Sequence, residues 1–76
     1  MFEKIAEIIA DQLGVSLNEI TLDTNIMEEF GADSLDMVEM IMAVEDEYGV
    51  QVEEDSVENI KTVGDVIKYL NAQGIN

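Results

Sequence analysis

The segment "SLDMVEMIMAVEDEYG", residues 34–49, decides the fold because its apolar residues recur at the spacing of an α-helix. It predicts a helix from Ser34 to Tyr48 that Gly49 ends. At 3.6 residues per turn, one apolar group falls between about 240° and 340° when Ser34 is taken as the origin. That width is typical of a stripe that faces a core. The members of this group are Met37, Met40, Ile41, Val44 and Tyr48.

A second apolar group lies on another side of the same predicted helix. Leu35, Val38 and Met42 gather between about 40° and 100° on the same construction, and acidic residues surround them. We expect these three side chains to be exposed, because the acidic neighbours hold this side in water. Two interpretations stay open. In the first, the three cover the preceding loop or are ordinary scattered exposed apolar residues. In the second, they form a docking face, for which flexible methionine is well suited. The acidic neighbours are Glu39, Glu45 and Asp46.

Two further segments predict the remaining main helices. "FEKIAEIIADQLG", residues 2–14, has apolar residues three and four positions apart and ends in glycine. Thr62 and Asp65 are typical of an N-terminal cap, and the apolar stripe that follows them ends near Gly74. That stripe consists of Val63, Val66, Ile67 and Leu70.

The two connecting segments predict less regular structure. In residues 15–33, Ser16 and Glu19 can form a capping box for a brief helical turn. A connection of this length is uncommon in a small domain, so its apolar residues should pin it to the core. These are Leu17, Ile20, Leu22, Ile26, Met27 and Phe30.

The second connection contains the residues of one short helix. Asp55 and Glu58 can cap it, and it would carry Val57 and Ile60. The two isolated valines before it, at positions 50 and 52, are too few for a strand. The predicted fold is therefore all-α: a small bundle of three main helices plus one short helix, with a long loop between the first and second helices.

Length and charge restrict the classes of function. The 76 residues predict a single domain over residues 1–76, with a modest core and little room for a catalytic cleft. Eighteen acidic residues against three lysines give a formal net charge of −15, which disfavours nucleic acid and anionic membranes as partners. The same charge favours partners with basic patches and a monomeric state. A hydrophobic content of 47% predicts a folded domain rather than an acidic disordered tail.

The residue types that are missing argue against an enzyme. Without histidine or cysteine, the chain cannot build a Ser-His-Asp or Cys-His nucleophilic site, a zinc site with nitrogen or sulfur ligands, or a disulfide. No signal peptide, transit segment or long apolar run is present. We therefore expect a cytoplasmic protein, or an organellar one after processing, with no stable membrane insertion.

Ser34 occupies a chemically distinctive position at the start of the second main helix. Asp33 is a good N-cap, which places Ser34 at the first helical position, where the helix dipole favours a negative group such as a phosphate ester. Asp33 and Asp36 oppose such a group by their charge. Two interpretations stay open: a solvent-facing residue at a helix start, or a site that an external enzyme modifies. A catalytic serine is disfavoured because the lysines, Lys4, Lys61 and Lys68, are distant in sequence.

The segment "GADSLDMVEMIMAVEDEYGV", residues 31–50, resembles the attachment-site region of the acyl carrier proteins of type II (dissociated) fatty acid synthesis. Its core is "DSL", residues 33–35, in which the family's serine carries 4'-phosphopantetheine. Residues 12–36 and "IKTVGDVIKYLN", residues 60–71, are also similar to the family, so the resemblance covers nearly the whole chain. One departure is "VQVEEDSVEN", residues 50–59, which lacks the proline often found before the family's short helix.

The resemblance implies a carrier. A phosphopantetheinyl transferase would load Ser34 from coenzyme A, and the thiol of the arm would hold growing fatty acyl chains as thioesters between the enzymes of fatty acid biosynthesis. Acidic residues that match the family's contacts with basic patches on partner enzymes are Asp33, Asp36, Glu39, Glu45 and Asp46. Leu35, Val38 and Met42 match the apolar contacts among them. The family also shelters the acyl chain between helices. Candidates for that lining, or equally for ordinary core, are Met40, Val44, Val57, Ile60 and Leu70.

Other functions stay open at this point. A carrier for polyketide, aminoacyl or specialised lipid synthesis would have the same arm and bundle. An acidic helical adaptor would use the exposed face without the serine. Weak binding of divalent cations is suggested by "EDE" at 45–47 and "EED" at 53–55, although the full spacing of a calcium-binding loop is absent, so no metal site is assigned.

Overall fold

Helices account for all the regular elements in this computed structural model, which describes residues 1–75. Asn76, the last residue of the predicted domain, lies outside the described residues. The elements in chain order are α1 (Phe2–Leu13), a 3-10 turn (Leu17–Glu19), α2 (Ile26–Phe30), α3 (Ser34–Tyr48), α4 (Glu54–Val57) and α5 (Val63–Ala72). The predicted all-α bundle and its three main helices are confirmed. The structure adds one short helix, α2, that the sequence analysis does not predict.

The core lies where α1 packs against both α3 and α5. Ile5 and Ile9 of α1, Met40 of α3 and Leu70 of α5 are all at most 1% exposed. The predicted core stripe of α3 is confirmed, with its last member, Tyr48, only half-buried. The buried members of that stripe are Met37, Met40, Ile41 and Val44.

Glycines in the left-handed conformation end α1 and α3 where the sequence predicts. Gly14 has φ 68° and its N–H donates to the Ala10 carbonyl at 2.8 Å. Gly49 has φ 66° and its N–H donates to the Glu45 carbonyl at 2.8 Å. A side chain would be strained at this φ, so glycine is favoured at both positions.

The predicted cap of α5 is present and well formed. The Asp65 N–H donates to Thr62 Oγ1 at 3.1 Å, and Asp65 Oδ2 accepts the Lys61 and Thr62 N–H groups at 3.0 and 3.1 Å. These bonds, first that from Lys61 and then that from Thr62, lower the pKa of the Asp65 carboxyl from its ordinary value. The helix ends at Ala72, close to the predicted end at Gly74.

The unpredicted helix α2 has a cap and a stop signal of its own. The Glu28 N–H donates to Asn25 Oδ1 at 3.0 Å, and Glu29 Oε2 accepts the Asn25 N–H at 2.7 Å. Gly31, at φ 67°, ends the helix after Phe30. These local signals are readable in the sequence, but five residues are too few to show helical periodicity.

The prediction that six apolar residues pin the long connection is only half confirmed. Ile20 and Ile26 are buried and Phe30 is half-buried. The prediction is wrong for Leu17, Leu22 and Met27, which are 50%, 53% and 40% exposed.

Hydrogen bonds, rather than the side chains of Leu17, Leu22 and Met27, fix much of the long connection. In the predicted turn, Glu19 Oε2 accepts the Ser16 N–H at 3.2 Å. Thr24, 2% exposed, accepts the Thr21 N–H at 2.8 Å through its hydroxyl. The connection also joins the start of α5, because the Ile26 N–H donates to the Lys61 carbonyl at 2.9 Å.

The predicted caps of the short helix α4 are wrong. Its N-cap is Glu53 rather than Asp55, and Glu58 follows its last residue. The turn begins earlier because the N–H groups of Ser56 and Val57 donate to the Glu53 carbonyl at 2.9 and 3.2 Å. Ile60 lies beyond the helix but is still buried, at 4% exposed.

Candidate functional site

Ser34 opens α3 between two aspartates that complete the helix cap without it. Asp33 Oδ1 accepts the Asp36 N–H at 2.9 Å, and Asp36 Oδ2 accepts the Asp33 N–H at 3.3 Å. This reciprocal pair is a capping box in which aspartate takes both positions. Ser34 is exposed and its hydroxyl is not needed for the cap, so it is open to modification.

The surroundings of Ser34 combine two opposing electrostatic effects. As the first residue of a 15-residue helix, it lies beside first-turn N–H groups that have no acceptor within the helix, and these favour an anion. The carboxylates of Asp33 and Asp36 disfavour one, although each already accepts an N–H group. The site therefore suits a phosphate that is covalently held rather than a free anion.

The predicted second apolar group of α3 is exposed. Leu35 is 65% exposed, Val38 is 44% exposed and Met42 is 56% exposed. The preceding loop therefore does not bury these side chains. Glu39 and Asp46 beside them are also exposed. We call Leu35, Val38 and Met42, with Glu39 and Asp46, the outer face of α3.

An open cleft of about 830 Å³ reaches Ser34 from the side of α2, α3 and the segment around α4. Its volume lies in the range of small-molecule sites, roughly 300 to 1,000 Å³. Four charged residues, Glu28, Glu45, Glu58 and Lys61, also line it. The apolar lining residues are Met27, Met37, Val38, Ile41, Met42, Val52, Val57 and Ile60.

The cleft contains only part of the predicted acyl lining. Val57 and Ile60 line it. Met40, Val44 and Leu70 do not; each is at most 1% exposed and belongs to the core cluster. The cleft instead uses residues that the sequence analysis did not select for it, above all Met27, Ile41 and Val52.

Helical angles explain why Met40 and Val44 do not reach the cleft. With Ser34 as origin, the α3 residues that line the cleft fall between about 300° and 80°, across the origin. Met40 and Val44, at about 240° and 280° on the same construction, turn towards the bundle core instead. The cleft therefore lies between the core stripe and the outer face.

Glu45 differs from the other acidic residues of α3 because its carboxylate is engaged within the protein. It is half-buried, and its Oε2 accepts the Val52 N–H at 2.6 Å. Both residues line the cleft. The predicted role of Glu45 as an exposed docking residue is thus accompanied by a structural contact that sequence spacing does not reveal.

The acidic clusters do not assemble into a metal site in the part of the chain that the structure describes. No group of three or more potential ligands among aspartate, glutamate, histidine and cysteine comes together there. Within the same residues, no helix has the length and apolar character needed to cross a membrane.

The model of one protein family, described as the phosphopantetheine attachment site, matches residues 3–70. The chain belongs to that family. The acyl carrier protein of Clostridium acetobutylicum is 44% identical to it over 72 residues, which cover 95% of this chain and 94% of that relative. The solved acyl carrier protein from Enterococcus faecalis has 30% identity and a TM-score of 0.79, covering 93% of this chain and 90% of its own.

These similarities confirm the resemblance to acyl carrier proteins and the helical fold that it implies. This chain has an attachment domain for 4'-phosphopantetheine. It is a homologue of acyl carrier proteins, which are carriers rather than catalysts.

Proposed function

We propose that this protein carries growing fatty acyl chains as thioesters on a 4'-phosphopantetheine arm attached to Ser34. The observation that supports this most strongly is the position of Ser34, exposed at the first residue of α3 and at the edge of an apolar cleft. It is the serine of "DSL" in a chain of the phosphopantetheine attachment family. The whole chain, residues 1–76, would act as one carrier domain.

The residues around Ser34 would prepare it for attachment and then orient the arm. The capping box between Asp33 and Asp36 fixes the first turn of α3, so an external transferase meets a defined helix start. First-turn N–H groups lie beside the position of the phosphate. The bound arm would supply a terminal thiol, which this cysteine-free chain lacks.

We further propose that the outer face of α3 is where the transferase and the enzymes of fatty acid biosynthesis dock. It presents an exposed apolar centre, Leu35, Val38 and Met42, in a chain of net charge −15. A complementary partner has an apolar patch surrounded by basic residues. The acidic residues proposed to meet those basic residues are Asp33, Asp36, Glu39, Glu45 and Asp46.

The cleft is the proposed shelter for the acyl chain. Val57 and Ile60 line it next to the segment around α4, and burial of the chain against them would remove apolar surface from water. Met40, Val44 and Leu70, also predicted to line the acyl site, would be reached only by a chain that penetrates the core.

The protein itself would catalyse no step, and its partners would perform the chemistry. We propose a cytoplasmic monomer, because the mutual repulsion of chains with net charge −15 opposes self-association.

Thiol titration tests the attachment directly, since any thiol on this chain must come from the arm. The protein is incubated with coenzyme A and a broad-specificity phosphopantetheinyl transferase, then freed of small molecules and titrated. We expect one thiol per chain, and none for Ser34→Ala or for reactions without transferase. Absence of a thiol on the unsubstituted protein would favour the adaptor interpretation.

Analysis of the acyl groups on the native protein tests the cargo. Hydroxylamine cleaves thioesters to a free thiol and an acyl hydroxamate, and mass spectrometry identifies the acyl hydroxamates. We expect saturated fatty acyl groups and their biosynthetic intermediates. Polyketide or aminoacyl groups would refute the fatty acid assignment while leaving the carrier role in place.

A further inference from the structure

Glu45 receives three N–H groups from the segment that leaves α3. Its carbonyl accepts the N–H groups of Gly49 and Val50 at 2.8 and 3.2 Å. Its carboxylate accepts the Val52 N–H at 2.6 Å, a short bond of the charge-assisted kind. One side chain and one carbonyl of α3 thus accept the N–H groups of residues 49, 50 and 52.

Val52 of this segment forms part of the cleft wall, and both Val50 and Val52 pack against the core cluster. Val52 and Glu45 both line the cleft, as do Val57 and Glu58 farther along the chain. The next element, α4, has only four residues, and the side chain of its N-cap residue, Glu53, makes no capping hydrogen bond. On the opposite side, the Tyr69 hydroxyl donates to the Gln51 carbonyl at 3.4 Å, a long bond. The Glu45 carboxylate therefore adds a short hydrogen bond at Val52 to the packing of Val50 and Val52 against the core.

We propose that Glu45 is a positioning residue that holds Val52 in the cleft wall, and thereby sets how much of an acyl chain the cleft shelters. The inference rests on the proposed carrier function. It assigns Glu45 a task inside the molecule, different from that of the exposed acidic residues of the outer face. The same carboxylate would thus have two roles. Its negative charge would attract basic partners, and its oxygen accepts the N–H of Val52.

Two substitutions separate these reasons. Glu45→Gln removes the charge but retains a side-chain oxygen that can accept the Val52 N–H, whereas Glu45→Ala removes both. Glu47→Ala is the matched control. It removes one charge from the same helix, and its carboxylate contacts Lys4 at 3.9 Å rather than the cleft wall.

The NMR signal and hydrogen exchange of the Val52 amide measure its hydrogen bond to Glu45 without any acyl chain bound. In the unloaded protein, Glu45→Ala should shift its proton resonance upfield and make its hydrogen exchange about tenfold faster. Glu45→Gln should produce a smaller change in both observables. Glu47→Ala should leave the Val52 resonance in place, which controls for the loss of one negative charge.

The increase in melting temperature when an acyl chain is attached to the arm measures how well the cleft shelters that chain. Each variant is compared in its holo form, with the bare arm, and in its butanoyl, octanoyl and dodecanoyl forms, all confirmed by intact mass. The gain should rise with chain length in the unsubstituted protein. In Glu45→Ala the octanoyl gain should fall to about half, because part of the chain stays in water. Glu45→Gln and Glu47→Ala should retain it.

Three outcomes would overturn the inference. The first is an unchanged Val52 amide and an unchanged octanoyl gain in Glu45→Ala. The second is an equal loss of the gain in Glu45→Gln and Glu45→Ala, which would make charge rather than the hydrogen bond responsible. The third is the absence of any gain in the unsubstituted protein, which would refute sheltering in the cleft. In that third case the proposed attachment of the arm to Ser34 would remain supported, because intact mass measures attachment independently of the melting temperature.

Discussion

Met40 and Met42 are the same amino acid two positions apart on α3, yet Met40 is fully buried and Met42 is 56% exposed. Met40 belongs to the core cluster of the bundle, whereas Met42 lies on the outer face and at the cleft. Helical position rather than residue type decides which surface is buried. A single helix can therefore supply both the core of a small domain and an exposed apolar surface for partners.

The largest expected difference between the two faces is in stability. Met40→Ala should lower the free energy of unfolding by about 2–5 kcal/mol, because it leaves a cavity in the core. Met42→Ala should change it by less than about 0.5 kcal/mol, since most of that side chain is already in water. Urea denaturation followed by circular dichroism measures both. Similar losses in the two variants would contradict the division of α3 into two faces.

Substitutions on the outer face should instead lower the rates of reactions with partner enzymes. Met42→Ala should lower kcat/KM for phosphopantetheinylation about tenfold, which corresponds to roughly 1.4 kcal/mol of lost transition-state contact. Leu17→Ala is a suitable control because Leu17 is similarly exposed, at 50%, but lies on the 3-10 turn outside α3. Equal effects of the two substitutions would show that general surface hydrophobicity, rather than the outer face, determines the rate.

The capping box of α3 orders the first turn of the helix that carries both faces. Its loss should therefore lower both the stability and the rate of phosphopantetheinylation. Asp33→Ala removes the acceptor of the Asp36 N–H and should cost about 1 kcal/mol of stability. Loading of Ser34 should also slow, because the first turn around it becomes less ordered. A variant with full stability and a normal loading rate would show that the capping box is dispensable.

The cap of α5 offers a comparison in which only stability is at stake. The pKa of Asp65 is lowered because its carboxylate accepts the Lys61 and Thr62 N–H groups. A lowered pKa in the folded state means that the carboxylate stabilises the protein above its ordinary pKa of 3.8 and loses this effect as the pH falls below it.

Asp65→Asn should therefore be less stable than the unsubstituted protein near neutral pH, by a small amount because Asp65 is only partly shielded from solvent. The difference should narrow as the pH falls through the folded pKa. Urea titrations at several pH values measure it, and a difference that widens in acid would contradict the assigned direction. Loading of Ser34 should be unaffected.

Sequence reasoning predicts the parts of this fold that combine periodicity with caps. The helices α1, α3 and α5 each have a recurring apolar stripe, and glycine or a Thr-Asp pair marks an end. The position of Ser34 follows from the same rules. The five-residue helix α2 is missed because its signals, Asn25, Glu28 and Gly31, are purely local.

The cleft is predicted less well because it depends on contacts between segments distant in sequence. Apolar composition alone does not distinguish buried Ile20 from exposed Leu22 in the long connection. The hydrogen bond from Val52 to Glu45 spans seven residues and a turn, so no helical spacing rule indicates it. Of the residues that line the cleft, Val57 and Ile60 are among the predicted acyl-site candidates, whereas Ile41 and Val52 are not.

The central claim is that Ser34 carries the arm, and intact mass measures this most directly. The protein and its Ser34→Ala variant are weighed before and after incubation with coenzyme A and a broad-specificity phosphopantetheinyl transferase. The account predicts a gain of one phosphopantetheine on the original protein and none on the variant. A gain on the variant, or no gain on the original protein, would contradict it.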